Sequence, residues 1–138
     1  MAVRFGSDAW AKALERELNA SSEYRQAASN WGVGFNGNVL LSFEADAAYP
    51  SGSSLLIRLE GGTCRGAEFL NGTAHPDAGF ALKAPFGLWK DIFERKTLAA
   101  TAILTGRMKV EGEKMTLLKH TAAHRALVAC ASAIDTEF

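Results

Sequence analysis

His120 and His124 stand four residues apart, a spacing that puts two imidazoles on one helix face and within reach of one metal ion. A catalytic zinc needs a third ligand, but no Glu stands beside His120 and no carboxylate follows at suitable spacing. The pair is therefore expected as two solvent-facing histidines on an amphipathic helix. His75 precedes Pro76 in a turn-rich stretch and reads as a loop residue. Cys64 precedes Arg65, and a nearby cation is what turns a thiol into a nucleophile. In a strand, however, adjacent side chains point to opposite faces, and no histidine flanks Cys64 as a base. Cys64 reads as a buried structural thiol. Gly32-Val33-Gly34 could open a dinucleotide-binding turn only after a strand, and it follows a helical stretch. No nucleophile elbow and no phosphate-binding loop is present. No catalytic residue, metal ligand or cofactor is assigned.

At 138 residues the chain has room for one core, so residues 1–138 are read as a single domain. A hydrophobic content of 48% excludes intrinsic disorder. Fifteen basic residues balance fifteen acidic ones, which argues against a nucleic-acid partner, because neutralising phosphates calls for a basic excess. No run approaches the roughly 18 apolar residues of a membrane-spanning helix. Met1 to Asp8 lacks an apolar stretch, and the last residues, Asp135 to Phe138, form neither a prenylation box nor a peroxisomal address. These features predict a cytoplasmic protein with two reduced thiols, Cys64 and Cys130.

The elements follow from periodicity. Residues 8–29 read as one long helix, capped by Ser7 or Asp8, with Trp10, Leu14 and Leu18 at four-residue spacing. Val39, Leu41 and Phe43 alternate with Leu40, Ser42 and Glu44, and Leu55, Ile57 and Leu59 alternate in the same way. Gly61-Gly62 is a two-residue hairpin connection to the segment 63–70. These strands form an antiparallel meander, and a fourth carries Phe80 and Leu82 on one face. Pro85 suits the first position of a helix whose Phe86, Trp89, Ile92 and Phe93 fall at helical spacing. Leu98, Ile103 and Leu104 predict a short helix ended by Gly106, and Met108 and Val110 a short strand. From Lys114 the Ala- and Leu-rich chain reads as one or two closing helices to about Ile134. The class is α+β, with helices on one face of a mostly antiparallel sheet. Phe80, Phe86, Trp89 and Phe93 crowd onto one stretch. Periodicity leaves open whether they meet other side chains or a bound lipid tail.

The stretch from Asp77 to Lys119 resembles the sterol carrier protein 2 family of non-specific lipid-transfer proteins. The resemblance rests on Asp77-Ala78-Gly79-Phe80, on Trp89, and on Thr105-Gly106-Arg107-Met108-Lys109-Val110-Glu111-Gly112 followed by Met115, Leu117 and Leu118. The order of elements before it agrees, and Trp31, Cys64-Arg65 and the Cys130 helix are similar to the stand-alone bacterial branch. The resemblance implies five strands with helices packed on one side around a hydrophobic tunnel that accepts a fatty acid, fatty acyl-CoA or sterol-like lipid, without catalysis. The tunnel positions it implies are Phe80 and Leu82, then Phe86, Trp89, Ile92 and Phe93, then Leu98, Ile103 and Leu104. Met108, Val110, Met115 and Leu118 complete them, with Phe43 and Phe69 added from the meander. Arg107, Lys109 and Arg65 are the cations placed to meet a ligand carboxylate. The other reading is an accessory domain of the same fold with a filled interior, acting through protein contacts. Any self-association is expected as a two-fold homodimer.

Overall fold

The computed structural model describes residues 2–138. The chain runs β1 (Val3–Arg4), α1 (Asp8–Ala20), α2 (Ser22–Ala27), β2 (Val39–Glu44), β3 (Ser53–Glu60), β4 (Thr63–Leu70), β5 (Phe80–Pro85) and α3 (Phe86–Phe93). It continues through α4 (Ala99–Leu104), β6 (Lys109–Glu111), α5 (Lys114–Lys119), α6 (Thr121–Ser132) and β7 (Thr136–Glu137). The main sheet has the order β4-β3-β2-β5-β6. β2 to β4 form the antiparallel meander, with Val39 opposite Ile57 and Leu55 opposite Phe69. β5 and β6 are antiparallel as well, with Leu82 opposite Val110. The seam between β2 and β5 is parallel and sets Leu41 beside Leu82.

That parallel seam demands a long return. β4 runs in the same direction as β2, so the chain leaving it must travel back along the sheet before β5 can begin. The residues 71–79 do this, and an extended chain of that length reaches roughly 30 Å. The return segment crosses the face away from the helices. Arg58 bonds Asp77 at 3.0 Å, Asn36 and Asn38 both donate to the Asp77 carbonyl, and Ala78 packs on a small cluster of Leu40, Leu56 and Ala81. Ser42 and Ser54, buried on that same face, share a hydroxyl hydrogen bond of 3.0 Å. The opposite side chains of the strands, Val39, Leu41, Phe43, Leu55, Ile57, Leu59 and Leu82, enter the main core beneath the helices.

Two glycine sites explain close approaches. Gly61 and Gly62 have φ of 59° and 87°, as a type I′ hairpin turn requires at both central positions. A Cβ on Gly62 would also lie 2.6 Å from the Arg25 carbonyl oxygen, so the end of α2 rests directly on the turn. Gly112 has φ of 110°, and a Cβ there would come within 2.8 Å of the Gly79 carbonyl and of the Phe80 ring. Only glycine lets the end of β6 lie this close to the start of β5.

The structure corrects two expectations. The long helix over 8–29 is broken at Ser21, which ends α1 and caps α2 by accepting from the Tyr24 amide at 3.0 Å. Just before the break, Asn19 pairs with the edge of β4, donating to the Cys64 carbonyl and accepting from its amide. The bend delivers Tyr24 into the core. Pro85 closes β5 and caps α3 instead of occupying its first position. The two chain ends also pair, β1 parallel to β7 with Val3 beside Thr136. Trp10 closes this junction, its indole donating to the Thr136 hydroxyl at 2.9 Å.

Beyond this junction Phe5 enters the core. Its ring centroid lies 4.9 Å from that of Trp10, 5.0 Å from Phe43, 5.4 Å from Phe69 and 5.6 Å from Phe86. Tyr49, Phe93 and Phe138 complete the ring of neighbours. Edge-to-face packing of this kind adds to the gain from burial alone. Phe5→Ala is expected to cost about 3–5 kcal/mol of unfolding free energy in urea titration. A loss below about 1 kcal/mol would show that the cluster is not a keystone.

Candidate functional site

The helices leave a cavity of about 90 Å³ over one half of the sheet. Val39 and Leu41 of β2, Leu82 of β5 and Met108 before β6 line it from the sheet side. From α3 come Trp89, Ile92 and Phe93, at the spacing that keeps residues on one helical face. The Trp89 indole donates to the Ser42 carbonyl at 2.9 Å, which fixes α3 to β2 and leaves no polar atom of the ring unpaired. Ile103 of α4, Leu117 and Leu118 of α5, and Leu127 and Val128 of α6 close the remaining walls. The lining also includes Arg95, Thr97, Leu98, Thr121, His124 and Arg125, with Arg95, Leu98 and Arg125 exposed at the rim. No Asp or Glu lines this chamber among the described residues.

Of the residues expected around a tunnel, the structure brings together Leu82, Trp89, Ile92, Phe93, Leu98, Ile103, Met108 and Leu118. Phe43, Phe69 and Phe86 instead surround Phe5, where side chains fill the space. Phe80 packs on Trp31 and Phe35 at 5.1 and 6.1 Å between centroids. Val110 is half-buried against the core and outside the chamber. Leu104 and Met115 are 68% and 58% exposed and do not line it. In α4 the inward positions belong to Ala102 and Ile103, and in α5 to Leu117. Sequence reading missed Val39 and Leu41, whose place depends on the parallel seam, and Leu127, Val128 and His124 of α6. None of the three cations proposed for a ligand carboxylate lines the chamber. Arg107 and Lys109 are exposed, and Arg65 pairs with Glu60 at 3.0 Å on the outer edge.

The histidines are not solvent-facing as a pair. His120 is the cap between α5 and α6, and His124 lies one turn into α6. Both lie edge-on to Trp31 instead, at 5.2 and 4.8 Å between centroids. Nδ1 of His120 bonds the Thr116 carbonyl at 2.9 Å. Burial pushes His124 down to about 4, with the nearby His120 adding to the shift and a backbone hydrogen bond to Leu117 opposing it. Its Nε2 is buried and has no hydrogen-bond partner. Among the described residues, no cluster of three or more His, Cys, Asp or Glu could hold a metal ion. Burial pushes the Cys64 thiol up to about 11, the direction opposite to nucleophilic activation.

No protein-family model matches the chain, and no curated protein matches it in sequence. Solved structures do. A sterol carrier protein 2 is 30% identical, with a TM-score of 0.83 over 94% of this chain and 98% of that one. A conserved hypothetical protein of Thermus thermophilus is 29% identical, with a TM-score of 0.84 over 96% of this chain and 91% of that one. The sterol carrier protein 2 of Yarrowia lipolytica in its apo form shares the fold at 20% identity and a TM-score of 0.56, each chain covered to 88%.

The burial of His124 has a sign in pH. Its folded pKa lies below the ordinary histidine value, so between about 6.5 and 4 the unfolded chain binds the extra proton and the folded one does not. Stability from this group is full above that window and falls as the pH is lowered through it, by about 3 kcal/mol at most. Urea titrations at pH 7 and pH 4.5 should show the loss, and His124→Phe should reduce it. Equal losses in parent and variant would remove His124 as the cause.

Proposed function

The chain belongs to the sterol carrier protein 2 family, and on that premise we propose that it binds a lipid without transforming it. The apolar portion of a fatty acid, fatty acyl-CoA or sterol-like molecule occupies the chamber under α3 and α4. The observation that carries this reading is a cavity walled by Leu, Ile, Val, Phe, Met and Trp side chains, with two arginines at the rim. Such sites work by removing hydrocarbon from water, with few polar groups fixing orientation. Burying about 300 Å² of ligand surface at roughly 25 cal/mol per Å² contributes about 7 kcal/mol before ordering costs are subtracted. The reading places the protein in the cytoplasm. It is supported there by two free cysteines, and no helix is long and apolar enough to cross a membrane.

A cavity of about 90 Å³ is small beside the roughly 300–1,000 Å³ of typical small-molecule sites. Binding therefore widens the chamber, and α4 is the wall built to move. It has six residues and no side-chain cap at its start, and Leu98 before it is 49% exposed. The link from α3 passes through Arg95 at φ 65°, a left-handed conformation that costs a non-glycine residue roughly 1–2 kcal/mol. The neighbouring α3, by contrast, is fixed to the sheet through Trp89.

A polyene fatty acid such as cis-parinaric acid, whose emission rises in apolar surroundings, tests the reading. The parent should take it up, and Ala99→Phe, which fills the chamber from the rim, should weaken uptake at least tenfold while the fold persists by circular dichroism. A folded variant that binds as well as the parent would remove the chamber as the site.

A further inference from the structure

In the wall of the chamber one polar atom is left without a partner. His124 lines the apolar cavity, and its Nε2 is buried without a hydrogen-bond partner, which folded proteins rarely leave so. Nε2 makes no bond, which leaves Nδ1 as the ring nitrogen to meet the Leu117 backbone. A neutral imidazole that donates from Nδ1 keeps a bare lone pair on Nε2. The neighbours supply no proton for it. The Trp31 indole, edge-on to the ring, donates to the Gly37 carbonyl at 2.8 Å, and Nδ1 of His120 is engaged with Thr116.

Building on the lipid-binding reading, we infer that His124 reads the polar end of the ligand, its Nε2 accepting a hydrogen bond from a lipid hydroxyl once the chamber has widened to uncover it. The chamber thereby favours a long-chain alcohol over the matching ether or ionised acid. The charged and titratable groups around the ring agree. His120 at the α5–α6 junction, Arg125 on α6 and Arg95 on the α3–α4 link face this region, and no acid lines the chamber. No acid there holds a proton on the ring, and burial outweighs the Leu117 backbone and keeps it neutral. A carboxylate brings no hydrogen for Nε2 and meets Arg95 and Arg125 at the exposed rim instead.

The test displaces diphenylhexatriene, a fluorescent hydrocarbon, with hexadecan-1-ol, 1-methoxyhexadecane or hexadecanoate at pH 8. The alcohol should compete roughly tenfold better than the ether, as one buried hydrogen bond predicts, and better than the acid. His124→Phe keeps a ring against Trp31 and should shrink the alcohol–ether ratio below about twofold, both competitors being measured against the variant's own affinity for diphenylhexatriene. In the parent, the nitrogen-15 resonance of His124 Nε2 should shift on adding the alcohol and stay still with the ether. This readout serves if the variant does not fold. Equal competition by alcohol and ether, a ratio that survives His124→Phe, or an unmoved resonance overturns the role of His124. Failure to take up any of these molecules instead overturns the lipid-binding reading itself, and this inference with it.

Discussion

Phe5 divides the interior of this protein into a filled end and a hollow one. Its ring touches aromatic residues from α1, β2, β4, α3 and the chain terminus. It reaches them because the chain ends are tied together. The Val3 amide donates to the Asp135 carbonyl at 2.7 Å and the Phe5 amide to the Glu137 carbonyl at 2.9 Å. Two short strands that bury little themselves thus position a residue on which the packing of half the core depends. Close-packed aromatics fill the interior there, and the apolar cavity lies in the other half.

The hollow end has a different construction. Its sheet side depends on the parallel seam, which sets Leu41 next to Leu82, and on the return segment that makes the seam reachable. Its helical side uses short pieces, α4 and α5, of six residues each. Atoms lining a void lose the dispersion contacts that a filled core would supply. A wall of short helices beside a void opens at lower free energy than the aromatic end. The cavity and its loosely held wall thus share one origin in sparse packing, placed away from the residues that hold the fold.

The strands were legible because their period is two and their inward residues are apolar, and the Gly61-Gly62 turn because only glycine suits both its positions. The break at Ser21 was not legible, since serine is tolerated within a helix and caps one equally well. β1 and β7 are too short to show any period. Resemblance in the stretch 77–119 picked out several residues that line the cavity, but periodicity reports which face a residue takes and not what stands opposite. Phe43, Phe69 and Phe86 therefore looked like tunnel wall until Phe5 was seen to fill the space between them. His124 was misread for a similar reason, because its surroundings are set by Trp31, far away in sequence.

A buried imidazole in an apolar wall is a cost to the unliganded fold, and it gives the empty chamber and its ligand a thermodynamic link. A hydrogen bond accepted at Nε2 favours the neutral ring over the charged one. In the role proposed for His124, a bound hydroxyl pushes its pKa further below the already lowered value. By reciprocity, protonating the ring must weaken the ligand by the same factor. On that proposal acidification acts twice on the same ring, loosening the fold and releasing the lipid. The widening of the chamber adds to this coupling. Ligand that binds only the opened, folded state draws the population toward it and raises the stability of the whole chain. Stability, proton binding and lipid binding then meet at one side chain, placed where the packing is thinnest.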